Sequence, residues 1–175
     1  MENRNVLNSL VNPLLIIVFA VVLRVIPHPA NIAPIAAMAL FGGAYLDKRY
    51  ALIVPLVAMF MSDLIIGFHD TMPFVYISFL LAGAIGIWLK KRRTIANVVS
   101  ATLISSFLFF LVTNFGVWAM GSLYPRTFQG LIDAYFYAIP FFRNTIIGDF
   151  FYVTLFFGSY ELLLKFYENL YTNRG

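Results

Sequence analysis

Asp63 and Asp149 stand inside otherwise apolar runs, and Arg24 and Arg143 stand near the ends of such runs. A carboxylate at the centre of a membrane span costs about 2.5–3.5 kcal/mol, so such groups turn away from lipid and find partners. At about 1.5 Å per helical residue, Asp63 lies roughly 6 Å below the turn at Gly67, Asn114 about 9 Å below Met120, and Asp149 about 9 Å below Arg143. Asn31, His69, Tyr76, Trp118, Asn144 and Thr145 fall at comparable heights. Thr145 and Asp149 are four apart, which places them on one helix face. Charged, hydrogen-bonding and stacking groups gathered at one level suit the binding of a small polar molecule. The expected substrate-binding set is Arg24, Asn31, Asp63, His69, Asn114, Trp118, Arg143, Asn144 and Asp149. Two other readings use the same residues. Arg24–Asp63 and Arg143–Asp149 are ion pairs that only lock helices together, or Asp63 and Asp149 are an acid–base pair of an intramembrane enzyme.

Other chemistry finds little support. The sequence holds no G-x-x-x-x-G-K-[ST], no H-E-x-x-H and no G-x-S-x-G, so neither ATP hydrolysis by a P-loop nor these hydrolytic sites are expected. There are no cysteines. His28, His69 and Asp70 come from two turns without helical ligand spacing, so no metal is expected. No catalytic residue, enzymatic activity or cofactor is assigned. Ser100, Thr102, Ser105 and Ser106 are expected to bond to their own helix backbone.

The elements that position these residues follow from composition. Of 175 residues, 61% are hydrophobic and 11% charged, and the mean hydropathy is +0.84. A soluble domain is about 25% charged, so the chain reads as an all-α membrane protein that forms a single domain over 1–175. Six transmembrane helices are expected: Pro13–Ile26, Ile32–Leu46, Tyr50–Phe68, Pro73–Leu89, Ile95–Met120 and Arg143–Tyr167. The first two are short for a span of about 20 residues. Arg24 and Pro27-His28-Pro29 follow the first run where a signal peptide would carry a small-residue cleavage site, so that run is expected to be retained. Thr127–Ile139, bounded by Pro125 and Pro140, reads as a short outer-surface helix before the last span.

Nine of the twelve Lys and Arg residues fall at alternate gaps and at the chain ends. The positive-inside rule then puts both termini in the cytoplasm. Because the bases sit in short gaps, the net charge of +4 encodes topology, and no nucleic-acid partner is expected. Trp118 and Tyr124 on the outer side, and Tyr45, Tyr50, Trp88, Tyr167 and Tyr171 on the inner, suit interfacial belts. Ala39/Gly43 and Ala82/Gly86 have the small-x-x-x-small spacing of closely approaching helices. The stripe Phe107, Phe109, Phe110 and Phe115 reads as filler. No internal or inverted repeat is evident.

HPANIAPIAAMALFGGAYL (28–46), MPFVYISF (72–79), VTNFGVW (112–118), YPRT (124–127) and PFFRNTIIGD (140–149) resemble a bacterial family of small membrane proteins assigned to transport. In layout the chain is also similar to the substrate-binding S components of energy-coupling-factor (ECF) vitamin transporters. That resemblance implies a bacterial cytoplasmic (inner) membrane protein for solute uptake, with a pocket near the outer face. It makes Asp63, His69, Asn114, Arg143, Asn144 and Asp149 pocket residues, and an ATP-driven energising module a partner. The first helix, LLIIVFAVVLR, lacks the alanine pairs by which such components dock on a shared module, which favours a solitary form. The implied substrate is a small polar or vitamin-like molecule, with a corrinoid as one candidate and His69 near its metal. Glu2 stands where nickel and cobalt components need a histidine. The alternative is a non-transporting scaffold subunit, similar in layout to small membrane components of bacterial cell-shape machinery.

Overall fold

The computed structural model describes residues 13–26, 32 and 34–172; the candidate Asn31, His28 and the chain ends lie outside them. Six helices follow one another: α1 (Pro13–Val25), α2 (Ile35–Tyr45), α3 (Lys48–Ile66), α4 (Met72–Leu89), α5 (Ile95–Met120) and α6 (Phe128–Thr172). Among the described residues all regular structure is helical. The stretches 48–66, 72–89, 95–120 and 128–166 are long and apolar enough to cross a membrane. Their outward faces are apolar too: Phe136, Phe151 and Leu162 are each more than half exposed, as suits side chains solvated by lipid.

The bundle is built around α2. All eleven of its residues are buried, which follows from a sequence that is apolar on every face. At about 1.5 Å per residue it is only about 16 Å long, so α2 is a central post rather than a span by length. It packs against α3, α4, α5 and α6. The α2–α4 crossing is set by glycine. A Cβ on Gly43 would stand 2.5 Å from the Gly83 carbonyl oxygen and 2.6 Å from the Gly86 backbone, so Ala39/Gly43 and Ala82/Gly86 form the close approach that their spacing predicts. The helices α3, α4, α5 and α6 pack in succession around the post. α1 packs on α3, and its Phe19 meets Phe156 of α6 edge-on at 6.0 Å.

α3 ends at Gly67, whose φ of +108° is open to glycine and strained for other residues. α5 starts at Thr94, whose hydroxyl accepts the Asn97 amide at 3.2 Å, an N-cap. Lys48, Lys90–Arg93 and Lys165 gather at the same end of the bundle, where Lys90 Nζ donates to the Leu46 carbonyl at 2.8 Å. This is called the basic end below.

Two expectations are corrected. The short surface helix does not exist as a separate element: 128–172 is one continuous helix of 45 residues with Pro140 inside it. Pro140 removes one backbone donor, yet the Phe110 ring of α5 meets, tilted, those of Tyr135 at 5.7 Å and Phe142 at 4.6 Å. One aromatic ring thus clamps the helix on both sides of the proline. Tyr45, expected in an interfacial belt, lies at the basic end but faces into the bundle rather than outward. It is 5% exposed, and its ring meets those of Phe41, Phe157 and Tyr160.

Candidate functional site

Asp63 sits one turn from the C-terminus of α3 and is fully buried. Its Oδ1 lies 2.5 Å from Nη1 of Arg24 on α1, and its Oδ2 accepts the Tyr76 hydroxyl of α4 at 2.8 Å. Arg24 Nη1 also donates to Ser62 Oγ and lies 3.3 Å from the Met59 carbonyl. Three helices therefore join at one ion pair whose carboxylate is satisfied on both oxygens, the condition under which a buried charge is tolerable.

Asp149 of α6 has a different environment. It is 4% exposed, and Ser106 Oγ of α5 donates to its Oδ2 at 2.6 Å, in the range of a hydroxyl bonded to a carboxylate. Among the described residues Arg24–Asp63 is the one ion pair. The expected Arg143–Asp149 pair is not formed. Residues six apart on a helix are separated by about 240° around its axis, and Arg143 is exposed while Asp149 points into the bundle.

Because α6 begins at Phe128, Asp149 is level with Ser106, eleven residues into α5 and about 16 Å from the basic end. Asp63 is fifteen residues into α3, about 22 Å from that end. Counted from those helix starts, the two carboxylates differ in height by about one helical turn.

A cavity of about 280 Å³ connects these levels. Its polar wall is Arg24, His69, Thr145 and Asp149, and its apolar wall includes Ile35, Met59, Phe79 and Phe109. All six helices contribute lining residues. Thr145 and Asp149 share the wall, as their four-residue spacing predicts. His69 Nδ1 lies 2.9 Å from Thr71 Oγ1 at the exposed rim.

The remaining candidates fall elsewhere. Asn114 lines a neighbouring cavity of about 290 Å³, which shares Val75, Phe109 and Thr145 with the first, and its Nδ2 donates to the Phe110 carbonyl at 2.7 Å. Trp118 Nε1 donates to the Pro125 carbonyl at 3.1 Å, tying down the α5–α6 loop. Asn144 is half-buried and lines neither cavity. Phe109, expected as filler, lines both, as do Val75 and Thr145.

Ser106, the partner of Asp149, is missing from the sequence-derived set. Its hydroxyl does reach its own helix, at the Thr102 carbonyl 2.9 Å away, but it faces Asp149 as well. The i, i+4 pair Thr102/Ser106 on an apolar helix was the available signal. Among the described residues no three His, Cys, Asp or Glu side chains gather as metal ligands do.

Over residues 4–170 the chain matches the profile of a family of unknown function, DUF6580, and at that coverage it belongs to the family. No curated protein and no solved structure matches it significantly.

Proposed function

Since membership of DUF6580 leaves the activity open, we propose from the geometry that the chain is a six-helix solute-binding protein of a bacterial inner membrane, S-component-like in layout. Its basic end and both termini face the cytoplasm, and its cavity takes up a small polar solute from the opposite side. The observation that carries this reading is Asp149, a buried carboxylate on a cavity wall whose partner is a hydroxyl and not a cation. Intramembrane carboxylates placed in this way mark substrate or ion paths. Arg24 lines the same wall but is paired with Asp63, so Asp149, with Thr145 and His69 beside it, is the charged group left to an occupant, alongside apolar rings.

The volume bears on the substrate class. Pockets for drug-sized ligands run from about 300 to 1,000 Å³, so a cavity of about 280 Å³ suits a small polar molecule rather than a corrinoid. A ligand with a protonated amine or several N–H donors would complement Asp149. The test is a thermal-unfolding screen of small polar solutes on the detergent-solubilised protein and on Asp149→Asn. The expected result is a solute that raises the Tm of the wild type and binds the variant about 1–3 kcal/mol more weakly. Equal binding by both proteins would remove Asp149 from the site.

The scaffold reading draws on Arg24–Asp63–Tyr76, which is complete within itself and joins α1, α3 and α4 without needing a ligand. It is favoured if no solute shifts either protein and small-molecule mass spectrometry finds nothing co-purified.

A further inference from the structure

A groove of about 530 Å³ runs between the first half of α5 and the second half of α6, toward the basic end, and shares no described lining residue with the solute cavity. It is graded along its length. At the end of the bundle it is lined by Arg93, Tyr45, Glu161 and Lys165, and further in by Val98, Val99, Val153 and Phe157. Val99 is one turn beyond Ile95 and Thr102 nearly two, so the apolar part reaches about 10 Å toward mid-depth. The rim is open: Ile95 is 85% exposed and Val99 39%.

The charges at the mouth are fixed by their neighbours. The Arg93 guanidinium lies over the Tyr45 ring, 4.6 Å from its centroid, a cation–π contact. The Tyr45 hydroxyl donates to Glu161 Oε1 at 2.8 Å, which engages the acid that lines the groove. Arg93 and Lys165 outnumber this one carboxylate at the mouth, and Arg93 closes a run of four consecutive bases, Lys90–Arg93.

We infer that this groove binds an anionic phospholipid of the leaflet at the basic end, with its phosphate between Arg93 and Lys165 and an acyl chain along Val98, Val99, Val153 and Phe157. The polarity gradient fits that occupant. A water-soluble anion would leave the apolar floor uncovered, and a zwitterionic lipid would bring its own cation to a mouth that is already basic. Basic pockets between transmembrane helices on the cytoplasmic side hold anionic headgroups by the same balance of forces.

The test is native mass spectrometry of the full chain in detergent, titrated with phosphatidylglycerol and, separately, with phosphatidylcholine of the same acyl chains. Phosphatidylglycerol should be retained preferentially. Each surface cation contributes about fivefold, so Arg93→Ala/Lys165→Ala should weaken its retention about 30-fold. Lys48→Ala/Arg49→Ala, which removes two bases outside the groove, should change it little. Val99→Trp keeps both cations and fills the rim, so it should lower retention of phosphatidylglycerol without altering the charge. Equal retention of the two lipids, or a preference that survives both groove variants, overturns the assignment. So does a groove that retains neither lipid, as expected if a partner protein covers it. None of these outcomes depends on whether the solute cavity functions in uptake.

Discussion

Arg24, Asp63 and Asp149 show how alike three charged side chains look in a sequence and how differently they are used. Arg24 is committed to Asp63, and removing either partner leaves a buried charge. Asp63→Ala is expected to destabilise the protein by about 3–5 kcal/mol, and Arg24→Met/Asp63→Leu to recover most of that loss. Tyr76→Phe, which withdraws one donor from the same carboxylate, should cost about 1–3 kcal/mol. Thermal and denaturant unfolding in detergent, run as a double-mutant cycle, check all three. Asp149→Asn keeps an acceptor for Ser106 and removes the charge, so it should leave stability close to that of the wild type. A large loss of stability in Asp149→Asn would make Asp149 a structural lock like Asp63. The partnership of Arg24 with Asp63 was legible in the sequence, because Arg24 near the end of one apolar run and Asp63 inside another fall at similar height and have opposite charge. The pairing of Asp149 was not. Arg143 is close to it along the chain but on another face of the helix, and Ser106 is 43 residues away.

At the scale of elements, glycines separate positions where the backbone needs room from positions where it does not. Gly43→Ala and Gly86→Ala each push a methyl group into the opposing backbone and should destabilise by about 1–3 kcal/mol. Gly158, in the middle of α6, has nothing within 4 Å of an added Cβ, so Gly158→Ala should stabilise by roughly 0.4–1 kcal/mol. Unfolding measurements on the three single variants check the contrast in sign. The close α2–α4 crossing was written in the sequence as Ala39/Gly43 facing Ala82/Gly86. The extent of the last helix was not. Pro140 reads as a break, whereas the contacts of Phe110 with Tyr135 and Phe142 hold both halves on α5. Local sequence marks where a helix can stop, and tertiary packing decides whether it does.

For the whole molecule, the uneven distribution of bases gives an orientation that can be measured on a chain without native cysteines. In intact cells a membrane-impermeant thiol reagent should label Arg126→Cys and leave Lys91→Cys unlabelled, and in inverted vesicles the pattern should reverse. Both side chains are exposed, so access is decided by the membrane. The reverse result would put the cavity rim at His69 on the cytoplasmic side. The enclosed α2 bears on how the protein is made. Eleven residues cover about half of the hydrocarbon thickness, and their satisfied surroundings are other helices rather than acyl chains. Such a segment has no stable resting place in the bilayer when it leaves the ribosome. It has to wait beside the insertion machinery or at the interface until α3 through α6 have arrived to enclose it. A chain truncated soon after Tyr45 should therefore fail to integrate stably, and biogenesis of this small protein is cooperative from its second helix onward.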